Sequence, residues 1–312
     1  MTALSWPRSL RNMGTMRRSL VRTALACALV VACAALAGCA GRPSASYYAA
    51  YQRDLLAKGR MRVDYVAADA PFDADDLARD FRLVVLNREA DSTRPGGDDN
   101  LRPSPLKRWS GPLRYRLAGS AVTATDRAEV ANLMARISRL TGIDTAKARQ
   151  EANFVILITT PQERDAVAAR LRKVSPRFAA NFNFWRRHPA LICIADNLYA
   201  RDNPNLISAA IAVIGSETTG LLRRACLNEE IAQALGPAND NSKVRPSVFN
   251  DDGEFALLTR HDELILKMLY DKRLVPGMTA KEAMPIVRRI ARELVPDARA
   301  PAIAAAMSST VQ

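Results

Sequence analysis

The sequence predicts an α+β fold in which helices pack against a mixed sheet, and three observations support this prediction. Phe154–Thr159 is an almost wholly apolar run of strand length, which is typical of a buried strand. Helical patterns stand on either side of it, at residues 126–140 and 161–173. Of the 312 residues, 48% are hydrophobic and 25% are charged, which is typical of globular proteins and excludes a disordered or collagenous chain.

Strands and helices alternate along the chain after residue 109. Residues 112–117 predict a strand with one apolar face, and residues 190–195 predict a second strand. Residues 207–214 form a further apolar segment. Gly142 ends the first helix, because glycine readily takes the left-handed conformation that closes helices. Pro161 opens the second helix, since the first helical position needs no backbone donor.

A helical segment precedes this alternation. Asp73 can cap a helix, and Asp75 and Asp76 would lie in its first turn, where the helix dipole favours acidic side chains. Its apolar positions recur at helical spacing and are Leu77, Phe81, Val84 and Val85. Residues 91–105 predict an exposed loop. The aromatic cluster at 178–185 predicts a loop that either covers a cleft or, as favoured here, packs beside the core.

The amino terminus has the pattern of a bacterial lipoprotein signal. Five arginines and no acids precede an apolar run at residues 23–36, which is too short to cross a bilayer core of about 30 Å. The run ends in Leu-Ala-Gly-Cys, which resembles the lipobox and implies that Cys39 is acylated and becomes the mature amino terminus. Ala40 follows where an aspartate would favour retention in the inner membrane, so the resemblance implies an outer-membrane protein that faces the periplasm.

These signals divide the chain into four parts. We expect a signal peptide at 1–38, a tether and helical extension at 39–105, the main α+β domain at 106–296 and a carboxyl-terminal tail at 297–312. Membrane attachment would come from the lipid. The net charge of +13 includes the signal's arginines. The chain has no block of like charges of the kind that binds nucleic acid, so we expect no nucleic-acid partner.

Two cysteines remain after the signal peptide and the acylated cysteine are set aside. Cys193 and Cys226 can either form a disulfide in the oxidising envelope or lie buried as small apolar side chains. We predict the disulfide, which would join the strand at 190–195 to the start of the helix that follows Cys226.

Residues 226–240 carry the sharpest pattern in the chain. They predict a helix that stops at Gly236, with Glu229 and Gln233 on one face and Glu230 one step aside. The segment is similar to the zinc-protease pattern H-E-x-x-H-x-x-G-x-x-H. Glu229, Gln233 and Asn239 stand at the three ligand positions, and Glu230 stands at the catalytic glutamate.

The mature chain resembles the bacterial lipoprotein family known as domain of unknown function 2927. The residues that carry the resemblance are the Cys-Leu-x-Glu-Glu-x-x-Gln-x-Leu-Gly run, an Asn-Asp pair, a Ser-x-Phe-Asn-Asp turn and a Leu-Tyr-Asp sequence. Residues 247–249 and 258–270 also resemble the Met-turn segment and the last helix of the matrixin branch of metzincins. This second resemblance implies a zincin-like (metzincin-like) mixed sheet with packed helices and a helical amino-terminal extension.

The side chains at the ligand positions disfavour catalytic zinc. Zinc in proteins takes mainly histidine and cysteine ligands, whereas this motif offers two amides and a carboxylate, so we expect no metal and no cofactor. His261 is expected to be exposed in the first turn of the last helix. We expect the carboxylates of Glu229 and Glu230 to bond to backbone N–H groups of residues 247–252, or to Arg245 or Arg260.

Three functions are consistent with this pattern. The favoured one is a non-catalytic envelope lipoprotein that binds an envelope protein or a cell-wall component. The alternative is a carboxylate-dependent hydrolase of cell-wall glycan or peptide, in which Glu229 and Glu230 act as acid and base. The third is a structural scaffold in which these side chains only bridge a loop. Whether the chain is an enzyme stays open, with the missing zinc ligands favouring a pseudo-metalloprotease.

Overall fold

A mixed sheet of six strands organises the chain in a computed structural model, which describes residues 43–89 and 101–296. The strands of this sheet are β3 (Arg108–Trp109), β4 (Leu113–Ala118), β5 (Thr145–Lys147), β6 (Phe154–Thr159), β7 (Cys193–Tyr199) and β8 (Leu206–Gly215). The order is β3-β8-β6-β4-β5 with parallel neighbours, and β7 pairs with β8 in the antiparallel direction. A separate antiparallel pair joins β1 (Asn87–Glu89) to β2 (Leu101–Pro103).

Eight α-helices surround the sheet in the described part of the chain. They are α1 (Ala45–Ala57), α2 (Ala74–Val85), α3 (Ala124–Thr141), α4 (Arg164–Val174), α5 (Pro176–Arg187), α6 (Gly220–Gln233), α7 (Arg260–Leu269) and α8 (Ala280–Leu294). Among the residues described, no helix is long and apolar enough to cross a membrane. The predicted α+β class and the mixed sheet are confirmed.

Local signals set the ends of several elements. Strand β6 has the predicted bounds, because a turn with Pro161 at its start follows the apolar run at once. Helix α3 begins at a capping box made by Thr123 and Asp126. It ends at Gly142, whose φ of 74° is in the left-handed region that glycine adopts without strain.

Helix α2 belongs to the main core. Its buried side chains include Leu77, Phe81 and Val84, which lie in the same apolar cluster as Phe154 of β6 and Leu227 of α6. The helix contacts α7 and packs extensively against α8. The segment that the sequence assigns to an amino-terminal extension therefore supplies one of the core layers.

Three local predictions are wrong. Within the loop predicted at 91–105, Leu101–Pro103 form strand β2, and residues 91–100 lie outside the described residues. The aromatic cluster forms helix α5 instead of a loop, because Ser175 caps the helix and Phe178, Phe182 and Trp185 fall on one buried face. His261 is fully buried instead of exposed. Its Nε2 atom lies 3.2 Å from a carboxylate oxygen of Asp80 in α2, since α7 turns its first residues towards that helix.

Candidate functional site

A cleft with a volume of about 480 Å³ lies between helix α6, strand β7, helix α1 and the loop at 238–256. Five acidic side chains line it, and no lysine, arginine or histidine lines it within residues 43–89 and 101–296. The acids are Glu229, Glu230, Asp240, Asp251 and Asp252. Two of the three side chains expected at zinc-ligand positions, Glu229 and Gln233, also line this cleft.

The predicted disulfide is confirmed and forms part of the cleft wall. Cys193 at the start of β7 is bonded to Cys226 in α6, with an S–S distance of 2.08 Å and a Cα–Cα distance of 5.8 Å. The strand predicted at 190–195 begins three residues later than expected and continues to Tyr199. The disulfide therefore attaches the cleft helix covalently to the sheet.

Helix α6 presents its acids to the cleft because its opposite side is committed to the core. Leu227 and Ile231 are fully buried in the main apolar cluster, which turns Glu229 and Gln233 towards the opening. The helix is followed by Gly236, which has a φ of 135°. A Cβ atom at this glycine would lie only 2.6 Å from the carbonyl oxygen of Lys107, so the chain can reverse here only with glycine.

The reversal brings Asp240 back beside α6. The Nε2 atom of Gln233 donates hydrogen bonds to both carboxylate oxygens of Asp240, at 2.8 Å and 2.9 Å. Gln233, which stands at the second ligand position, therefore holds the carboxylate of Asp240 by hydrogen bonds. Asp240 is not among the cleft side chains that the sequence predicts, although it belongs to the Asn-Asp pair of the family resemblance.

Asn239 takes a different place from the one expected. It is 1% exposed and is not among the residues that line the cleft. Its Nδ2 atom donates to the carbonyl oxygen of Leu83 at 3.0 Å, and the neighbouring Ala238 N–H donates to the carbonyl oxygen of Val84. The residue at the third ligand position therefore connects the loop to helix α2, and Asp240 faces the cleft instead.

Glu230 is the most unusual side chain in the cleft. It is 3% exposed, and its Oε2 atom has no hydrogen-bond partner in the described part of the chain. Burial raises the pKa of Glu230 well above its ordinary value, and the nearby carboxylates of Glu229 and Asp240 raise it further. The pKa of Glu229 is also raised well above the ordinary value, by burial and by Asp240. Both carboxyls therefore tend to hold a proton.

The partners expected for these carboxyls are engaged elsewhere. Arg245 forms ion pairs with Glu254 and Asp69, at 2.6 Å and 2.8 Å. Arg260 lies over the ring of Phe72, which precedes the first residue of α2 by two positions. In the turn at 247–252, the backbone N–H groups of Val248, Phe249 and Asp252 bond to acceptors other than the two glutamates. The hydrogen bond expected for Glu230 is absent at its Oε2 atom, which has no partner among the described residues.

The donor set of the cleft does not fit catalytic zinc. Cys193, Glu229 and Glu230 are the one group of three ligand-type side chains within 4.8 Å of one another among the residues described. The sulfur of Cys193 is bonded to Cys226, so it supplies no thiolate. Two carboxyls remain, without the imidazole nitrogens or thiolates that zinc sites use.

Comparison with known proteins gives a family. A family model described as "Protein of unknown function (DUF2927)" matches residues 74–289, from the start of α2 into α8. A search of curated proteins and a search of solved structures each found no match. The matched range covers well over half of the chain and includes the whole sheet and the α6 side of the cleft. The chain therefore belongs to the DUF2927 family.

Proposed function

We propose that the protein is a lipid-anchored protein of the cell envelope that binds a partner in the acidic cleft and does not hydrolyse it. The observation that carries this proposal is the buried Oε2 atom of Glu230, a residue that lines the cleft, because this atom has no hydrogen-bond partner among the described residues. An unpaired buried polar atom is costly, because it has lost water without gaining another bond. A bound partner would supply the missing donor.

The proposed anchor rests on the sequence alone, since Cys39 lies outside the described residues. Several acyl chains on one residue give effectively permanent attachment, because each buried CH₂ contributes about 0.8 kcal/mol. We expect Cys39→Ala to move the protein from the membrane to the soluble fraction and to abolish labelling by palmitate. A variant that stays in the membrane fraction, together with an unlabelled wild type, would contradict the lipid anchor.

A metzincin-like ancestry with a lost metal site is the context that we propose for this function. Support comes from the spacing of the motif and from the position of Glu229 and Gln233 in one cleft on one helix. We expect purified protein to bind zinc substoichiometrically and to show no peptidase activity. Stoichiometric zinc, or a peptidase activity that is lost in Glu230→Gln while the variant stays folded, would overturn the proposal.

Binding in the cleft can be tested by site-specific photo-crosslinking in cells. Ala190 is an exposed residue of the cleft wall, and Val174 is a 70% exposed residue that does not line the cleft. We expect a photoreactive benzoylphenylalanine at position 190 to capture a partner and the same group at position 174 to capture none. Equal yields from both positions would show that the cleft has no special role in binding.

A hydrolase remains the second candidate because of one specific observation. A carboxyl with a raised pKa can act as a general acid near neutral pH, and Glu230 lies beside a second carboxyl at Glu229. The substrate class would be cell-wall glycan or peptide. Product analysis after incubation of purified cell wall with wild type and with Glu230→Gln separates the two functions. Products from the wild type alone, with a Glu230→Gln variant that is shown to be folded, would establish the hydrolase.

A further inference from the structure

We infer that the acidic cleft recognises a primary ammonium group carried on an apolar chain, such as a lysine side chain or an alkyl diamine. This inference rests on the proposed binding function and adds the chemical class of the ligand. The structure supports it through the charge of the cleft, through one buried oxygen atom and through the apolar surface beside the acids.

The charge of the cleft is opposite to that of the chain. The chain carries 45 lysines and arginines against 32 aspartates and glutamates, yet no basic residue of the part that the structure describes lines the cleft. A positive charge bound beside the buried carboxyls favours their ionised form, which burial alone disfavours. A cationic group is therefore the ligand that the cleft attracts.

Glu230 supplies an acceptor that the fold leaves unused. Glu230 is 3% exposed and its Oε2 atom is buried. This oxygen accepts no hydrogen bond from the described residues. A carboxyl oxygen of Glu229 lies within 4.8 Å of one of Glu230. An ammonium group donates three hydrogen bonds from one nitrogen, so it can bond to both carboxyls at once. The flat guanidinium fork is better matched by a single carboxylate.

Apolar side chains form part of the wall and favour an organic cation over a bare metal ion. The apolar side chains on the lining include Leu55, Phe184, Ile192, Leu222 and Phe255. The volume of about 480 Å³ is within the range of small-molecule sites, whereas a single water molecule has a share of about 30 Å³. An alkyl chain of several CH₂ groups would cover this apolar surface while its ammonium end reaches the acids.

Binding should release protons, which gives the inference a signature of its own. The titratable groups that face the site are Glu229 and Glu230 from α6, Tyr51 from α1, and Asp240, Asp251 and Asp252 from the loop, with β7 and α5 adding none. Arg60 lies beside Asp252 at the rim. A bound cation favours the ionised form of the carboxyls, so binding displaces protons. Below the pKa of the free protein's carboxyls, each displaced proton makes the affinity rise by about tenfold per pH unit.

Isothermal titration calorimetry on the full protein can test this. The probes are Nα-acetyl-lysine N-methylamide, 1,5-diaminopentane and the matched neutral compound Nα-acetyl-norleucine N-methylamide. We expect at least one ammonium probe to bind more than tenfold tighter than the norleucine compound, with an affinity that rises with pH and with proton release in buffers of different ionisation enthalpy. A tighter lysine derivative would indicate a peptide source, and a tighter diamine would indicate a free amine.

Variants and a metal control complete the design. We expect Glu230→Gln to weaken ammonium binding at least tenfold and the exposed Glu151→Gln to leave it unchanged, with folding of both checked by thermal melting. Equal affinity for the norleucine compound, or stoichiometric calcium binding that excludes the ammonium probes, would overturn the inference. If no ammonium probe binds while crosslinks from position 190 persist, the ligand class is wrong and the proposed function stands. If the crosslinks are absent as well, both fail.

Discussion

Replacing Glu230 with glutamine removes a carboxyl that the fold buries, and we expect the variant to be more stable than the wild type at neutral pH. The side chain is 3% exposed, and its Oε2 atom accepts no hydrogen bond among the described residues. Burial, Glu229 and Asp240 raise its pKa well above the ordinary value. The native state therefore holds a proton at a pH where the unfolded chain has released it.

The magnitude follows from linkage between protonation and folding. When the pKa is higher in the folded state, the contribution to stability is complete below the unfolded-state pKa, about 4.3 for glutamate, and is lost as the pH rises through the folded-state pKa. One extra proton in the native state lowers the free energy of unfolding by about 1.4 kcal/mol per pH unit over that interval. Glutamine does not titrate, so this loss should be absent in Glu230→Gln.

Urea unfolding followed by circular dichroism, at several pH values from about 5 to about 8, measures the difference. We expect the stability of wild type to fall relative to Glu230→Gln by up to about 1.4 kcal/mol per pH unit. The exposed Glu151→Gln should give a curve parallel to that of the wild type. The reasoning is refuted if Glu230→Gln is the less stable protein at neutral pH, since that would mean that the ionised carboxylate makes a structural bond.

Three further changes test the fold around the cleft. The double variant Cys193→Ser, Cys226→Ser opens a loop of 33 residues and should lower the free energy of unfolding by about 3.7 kcal/mol in the chain-entropy model, measured by urea unfolding without reductant. Gly119→Ala should yield insoluble or unfolded protein, because φ is +111° and a Cβ atom would lie 1.8 Å from a carbonyl oxygen of β6. Glu217→Gln should cost about 3 kcal/mol in thermal or urea unfolding, since it leaves the buried guanidinium of Arg164, now 2.7 Å away, without its counter-charge.

Matched controls separate these causes from general sensitivity to substitution. Gly59→Ala also has a positive φ, +71°, but nothing lies within 4 Å of the added Cβ atom, so we expect a cost of only about 1–2 kcal/mol. Glu293→Gln breaks an ion pair with Arg273 on the surface and should cost less than about 1 kcal/mol. Equal losses in a variant and its control would contradict the structural reason given for that variant.

Much of the fold could be predicted from local patterns. The apolar run of β6 and the capping residues of α3 define their own ends, because strand burial and helix caps depend on side chains close in sequence. Helix α5 differs from the loop that the clustered aromatic residues at 178–185 predict. Their spacing at 178, 182 and 185 is helical, and the serine and proline that begin the helix are adjacent.

The candidate site could be predicted only where one helix carries it. Glu229 and Gln233 share a face because they are four residues apart, which the sequence shows directly. The directions of Asn239 and Asp240 depend on how closely Gly236 approaches Lys107 and on where α2 lies. The burial of His261 depends on Asp80, which is far away in sequence. Such contacts arise only when distant segments meet.

The attachment of the cleft loop to helix α2 has a practical consequence for dividing this protein into fragments. Asn239 and Ala238 bond to the carbonyl groups of Leu83 and Val84, which lie before the start at residue 106 that sequence patterns suggest for the domain. A fragment that starts there would lose both bonds and a core layer. Expression of the cleft for ligand screening should therefore start upstream of Asp73, the residue that caps α2.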